Sequence, residues 1–149
     1  EDMEKILSVD FYREIIEQAP DAILFSDREG RIRLWNRGCE LVFGYSEAEA
    51  LGQSLDIVIP ENLRARHWEG YFKVMETGQS AYGTKLLSVP ALHKQGHQLS
   101  CAFSIVLLKD DSGKPAGVAS IMRDVTDAWT REKALKERVT TLEKEKNSI

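Results

Sequence analysis

The chain has 149 residues, 42% hydrophobic and 30% charged, with a formal net charge of −4. That length suits one domain with enough interior to fold alone, and the composition is that of an ordinary globular protein. There is no basic stripe to neutralise phosphates, which argues against a nucleic-acid partner, and no apolar run approaches the roughly 18 residues that span a bilayer. No signal peptide is visible. The two cysteines, Cys39 and Cys101, are too few for a disulfide framework and read as reduced thiols of a cytoplasmic protein. The sequence opens at Glu1 rather than Met, which leaves room for a membrane segment or an output domain outside it.

Residues Glu4 to Ala19 are expected to form an amphipathic helix, with Ile6, Leu7, Phe11, Ile15 and Ile16 at helical spacing and Ser8 as a second N-cap. Pro20 ends it. Ala22–Ser26 is a first strand, paired across the turn Asp27-Arg28-Glu29-Gly30 with Arg31–Trp35, whose residues alternate polar and apolar. Asn36 caps a short helix carrying Cys39, Leu41, Val42 and Phe43, which Gly44 stops. Ser46 and Glu49 form a capping box for another short helix, closed by Gly52. Leu55–Pro60 reads as an extended link. Glu61–Thr77 is then a helix with Pro60 before it, Gly78 after it, and Leu63, His67, Tyr71, Val74 and Met75 on one face. Three strands follow, Tyr82–Pro90, His97–Leu107 and Ala116–Asp124, separated by turns at Lys94–His97 and Asp110–Lys114. The expected class is α+β, one antiparallel sheet with helices on one face. From Asp127, taken as its cap, a helix dense in Glu and Lys runs to Ile149. Ala128, Leu135, Leu142 and Ile149 recur by sevens with Val139 between, while Glu132 and Lys146 break the heptad. Pairing with a second copy is the preferred reading; packing on its own domain is the alternative.

No enzyme motif is present: no G-x-x-x-x-G-K-[ST], no G-x-S-x-G and no H-E-x-x-H. The three histidines, His67, His93 and His97, lack the spacing of a zinc site with the cysteines. His93 and His97 flank a turn, where histidines are usually inert. His67 lies on the apolar face of its helix.

The run from Gly30 to Gly52, G-x-I-x-x-W-N-x-G-x-E-x-x-F-G-Y-S-x-x-E-A-x-G, resembles the core of the PAS sensory domain. Arg123-Asp124-Val125-Thr126 is similar to the R-D-[IV]-T signature that ends the last strand of such domains. The resemblance covers roughly Phe11 to Thr126. It implies a PAS fold with a five-stranded antiparallel sheet and a pocket between helices and sheet. The division it implies is a flanking helix over 1–19, a PAS domain over 20–126 and a coiled-coil-like signalling helix over 127–149.

The run PENLRARHWEGY, with His67 seven residues after Pro60, is similar to the haem-binding PAS domains of oxygen-sensing kinases of nitrogen fixation and of direct oxygen-sensing phosphodiesterases. There a histidine at this place is the proximal ligand, which would make His67 the iron ligand to haem b. Tyr71 and Met75 would share its wall, Phe103 and Ile105 would line the distal side, and Lys73 would reach a propionate. Where those sensors hold oxygen with an arginine, this chain has Leu87. Two residues earlier, where one family uses a methionine, it has Lys85. A leucine donates no hydrogen bond, so a five-coordinate iron favouring CO or NO over O₂ is implied, unless Lys85 or Tyr82 approaches the distal face. No N-C-R-F-L-Q motif of flavin-binding LOV domains occurs, and Cys39 lies elsewhere, in WNRGCE. FAD remains compatible with Trp35-Asn36, though Trp35 reads first as a core anchor. The readings are therefore a dimeric haem sensor of a diatomic gas feeding an output domain, or a cofactor-free module for dimerisation, relay or small-organic-ligand binding.

Overall fold

The computed structural model describes residues 8–80 and 82–148. Within them the chain forms α1 (Val9–Gln18), β1 (Ala22–Asp27), β2 (Ile32–Trp35), α2 (Arg37–Phe43) and α3 (Glu47–Ala50). Single turns of 3-10 helix at Leu55–Val58 and Glu61–Leu63 lead into α4 (Arg64–Thr77). β3 (Leu87–Leu92), β4 (Gln98–Lys109), β5 (Pro115–Asp124) and α5 (Thr126–Asn147) complete the order. The strands make one antiparallel five-stranded sheet, β2-β1-β5-β4-β3, so the α+β PAS architecture is what the chain adopts.

The first and last strands meet at the centre, Ala22 opposite Met122 and Asp27 opposite Gly117. Along β1 the side chains alternate, with Ala22, Leu24 and Ser26 buried, as the two-residue period of a strand requires. On that inner face Trp35 packs against Phe43 at 5.6 Å between ring centroids and donates its indole N–H to the Tyr45 carbonyl at 3.0 Å. Trp35 is a core anchor, and Leu24, Ile32, Phe43 and both free thiols are buried in the same core.

Asn36 joins three elements. Its Oδ1 accepts from Cys39 N–H at 2.9 Å, capping α2, and from Ile23 N–H at 2.8 Å. Its Nδ2 faces the carbonyls of Ile16, Ala19 and Asp21 at 2.9, 3.2 and 3.0 Å, which ties the end of α1 to the sheet. The capping box at Ser46 and Glu49 is formed.

Several boundaries differ from expectation for local reasons. Leu55–Val58 is a 3-10 turn rather than an extended link, because the Ser54 hydroxyl accepts from Asp56 N–H at 3.1 Å and curls the chain. β3 begins at Leu87 instead of Tyr82, since a turn closed by Lys85 N–H on the Tyr82 carbonyl holds the preceding residues out of the sheet. α3 closes at Leu51, one residue before Gly52. α5 starts at Thr126 with Val125 as its cap position, so Asp127 lies in the first turn and does not cap it. The expected start of the first helix, with Ile6 and Leu7, and the last heptad position, Ile149, lie outside the described residues. Phe11 and Ile15 of α1 and Leu135, Val139 and Leu142 of α5 are exposed, while Ile16 near the end of α1 is half-buried.

Candidate functional site

Polar contacts in its first two turns tie the helix α4 to the segment that leads into it. Arg64 Nε donates to the Ile59 carbonyl at 3.0 Å, and Trp68 Nε1 donates to Asp56 at 2.7 Å. The Trp68 ring covers Gly30, where an added Cβ would stand 2.1 Å from it, and the φ of +78° at Gly30 favours glycine in any case. One turn on, the buried Tyr71 reaches β1 with its hydroxyl, 3.0 Å from Ser26 Oγ.

His67 stands inside this frame. Its ring meets Trp68 edge-on at 4.7 Å and tilts against Tyr71 at 5.6 Å. Burial pulls its pKa below the ordinary imidazole value, with the Asp56 charge opposing, so the ring is neutral at neutral pH. Its Nδ1 is buried and makes no hydrogen bond. A buried, unpaired nitrogen costs free energy unless something completes it.

β3 and β4 pair along the other side of the sheet. Leu87 lies opposite Phe103 in the register, and Phe103, Ile105 and Leu107 fall on the same face as buried Leu99 and Cys101. These three and Met75 of α4 are only half-buried, in contrast with the sealed end around Trp35 and Phe43. His67 and Tyr71 meet ring to ring on α4, Met75, Phe103 and Ile105 pack against the core, and Leu87 pairs with Phe103. Lys73, Tyr82 and Lys85 are exposed, and Tyr82 and Lys85 lie in the turn before β3 rather than on a strand. Two cavities, of about 240 and 330 Å³, open at Asp124–Arg131 and beside Trp35, Asn36 and Glu40; His67 lines neither.

The chemistry of the donor fits a cofactor that takes one ligand from the protein. A neutral imidazole with an unspent nitrogen would suit the iron of a haem, were one bound. No group of three or more His, Cys, Asp or Glu that could hold a bare ion occurs among the described residues. Burial pushes the Cys39 thiol up to about 12 and Cys101 up to about 11, so neither is a poised nucleophile.

The β5–α5 junction is clamped to β4. Val125 N–H donates to the Ser100 carbonyl at 2.8 Å, and Ser100 N–H donates to Thr126 Oγ1 at 3.0 Å. Thr126 in turn donates its N–H to Asp124 at 2.9 Å, and its hydroxyl meets the same carboxylate. Sequence reasoning placed the Arg123–Thr126 signature but not its partner Ser100, which is set by strand register. It also missed Ser26 and Asp56. A serine inside an otherwise apolar strand, opposite a helix bearing tyrosine, was the available signal for the first.

A family profile described as the PAS fold matches residues 16–129. The chain is 44% identical over 55 residues to the sensor protein FixL of Bradyrhizobium diazoefficiens, a match covering 37% of this chain and 11% of that one. It is 28% identical over 116 residues to the methanogenesis regulatory histidine kinase FilI of Methanothrix harundinacea, covering 78% of this chain and 12% of that one. The chain thus spans 11–12% of the length of these curated relatives. Among solved structures, the PAS domain of the protein from Colwellia psychrerythraea superposes with a TM-score of 0.70 at 24% identity, over 80% of this chain and 98% of that chain.

Proposed function

This chain belongs to the PAS family, and we propose that it is a sensory input module that holds haem b through His67 and reports the state of that site through α5. The observation that carries the reading is the buried, unpaired Nδ1 of a neutral His67. His67 would be the iron ligand, with Tyr71, Met75, Leu87, Phe103 and Ile105 around the group. When bound, haem supplies a site for a diatomic gas. Leu87 offers that ligand no hydrogen bond, which favours CO or NO over O₂. Lys73, Tyr82 and Lys85 are exposed and, on this reading, would meet the solvent edge of the group rather than its face.

The relay uses residues already joined. β4 carries Phe103 and Ile105 at the cleft and Ser100 at the junction, so a shift of the strand reaches Thr126 through a direct hydrogen bond. α5 would pair with a second copy through Leu135, Val139 and Leu142, all exposed in the single chain. Two relatives named as a sensor protein and a histidine kinase support an output domain in a longer signalling protein, for which a cytoplasmic location is part of the proposal. No described helix is long and apolar enough to cross a membrane.

A second reading is a cofactor-free relay, or a sensor of FAD or of a small organic ligand in the same cleft. The packing of His67 on Trp68 and Tyr71 favours it, since a histidine already enclosed by aromatics needs no metal to hold it. The two separate in an absorption spectrum after haemin addition, with dithionite and then CO. A Soret band that moves at each step in the wild type and is lost in His67→Ala supports haem; a band that haemin raises equally in both proteins removes it.

A further inference from the structure

The β3–β4 turn sets two histidines face to face. His93 N–H donates to the His97 carbonyl at 3.0 Å, and the two rings stack at 4.4 Å between centroids with 20° between their planes. Counting by twos from Ala91 and Leu99, which pair across β3 and β4, both histidines fall on the inner side of the sheet. There the His93 ring lies against Gly44 at the end of α2, where an added Cβ would come within 2.6 Å of it. The tip is docked on α2 by Lys94 N–H, which donates to the Phe43 carbonyl at 2.9 Å.

His93 Nδ1 accepts from Gln95 N–H at 3.0 Å, so the neutral ring carries its proton on Nε2. A second proton has to go to Nδ1. It would meet the Gln95 N–H head-on, break the bond that shapes the turn, and place a cation against His97. The other charged and titratable groups near the tip are Lys94 and Glu49, paired with each other at 2.5 Å above Tyr45, and Asp124 from β5. Asp124 is the anion that favours a proton on His93, and its carboxylate is already engaged by Thr126 at the start of α5.

We propose that the His93–His97 stack is a proton-responsive latch: protonation of His93 breaks its bond with Gln95 N–H and releases the β3–β4 tip from the end of α2. Burial and the neighbouring His97 hold the His93 pKa below the ordinary imidazole value, against the pull of Asp124. The folded state therefore disfavours the proton. The stability this gives is complete above a pH of about 6.5 and is lost as the pH falls below it. The latch is closed at neutral pH and opens on acidification. It uses no residue of the His67 cleft, so it stands or falls apart from the haem reading.

Histidine-ring and amide NMR between pH 8 and 5 tests it on the chain as it stands. The Lys94 and Gly44 amides, which sit where the tip meets α2, should move with the midpoint of the His93 ring, and that shared midpoint should vanish from them in His93→Gln. His97→Gln leaves the Gln95 bond in place and should move the midpoint to higher pH by removing a repulsive neighbour. Lys94 and Gly44 amides that stay still over this range, that titrate unchanged in His93→Gln, or whose midpoint is unmoved in His97→Gln, overturn the proposal.

Discussion

The hydroxyl of Tyr71 in α4 lies 3.0 Å from Ser26 Oγ in β1, joining the helix that carries His67 to the central strand pair of the sheet. The same hydroxyl reaches the carbonyls of Ser26 and Asp27, so it has a choice of acceptors in a buried place. One donor thus fixes the distance between the cleft and the strand beside β5.

Removing only that oxygen, in Tyr71→Phe, keeps the ring packing and loses the hydrogen bond. The expected cost is about 1–2 kcal/mol of stability in urea unfolding. Ser26→Ala should cost less, because the Tyr71 hydroxyl retains backbone acceptors. A Tyr71→Phe variant as stable as the wild type would show that helix packing alone holds α4.

Asn36→Ala removes the α2 cap, the acceptor for Ile23 N–H and the donors to the end of α1 together. The expected loss is about 2–4 kcal/mol, more than a helix cap alone gives, since buried backbone groups are left unpaired. Hydrogen exchange should rise in α1 as well as α2. A loss confined to α2 would mean that α1 docks without Asn36.

The acid limb of stability follows from the carboxylates. The Arg123 hydrogen bond lowers the Asp21 pKa against a smaller opposing effect of burial. Burial raises the Asp27 pKa, but hydrogen bonds from Arg33 and the backbone N–H groups of Arg31 and Glu29 outweigh it. The Lys94 ammonium holds Glu49 at about 2, and the Ser112 hydroxyl with Lys114 N–H and Arg28 holds Asp110 at about 2. All four are depressed in the folded state, so their contribution is present above the ordinary carboxylate range near 4 and is lost as pH falls from there toward 2. The melting temperature should drop across that window. Lys94→Met should flatten the drop, and an unchanged acid limb in that variant would remove Glu49 from the account.

Much of the fold was legible because short-range chemistry wrote it. The alternation of Arg31–Trp35, the capping box at Ser46 and Glu49, and the glycine after Phe43 each name an element without reference to the rest of the chain. The errors fell where one hydrogen bond decides a boundary. The Ser54 hydroxyl turned an extended link into a 3-10 turn, and the Tyr82–Lys85 turn shortened β3. At the site, helical spacing put His67, Tyr71 and Met75 on one side of α4. Nothing local could show that Tyr71 spends its hydroxyl on β1 or that Trp68 covers Gly30, because each depends on how a helix docks on a distant part of the chain.

The central claim is that the cleft at His67 and the start of α5 are one device, joined by β4. The measurement that tests it most directly is amide hydrogen exchange at Ser100, Val125, Thr126 and along α5, with and without haemin, in the wild type and in His67→Ala. The account predicts that haemin changes protection at these amides several-fold in the wild type and leaves His67→Ala unchanged. Equal protection in the loaded and unloaded wild type, with a Soret band proving that haem is bound, would contradict it.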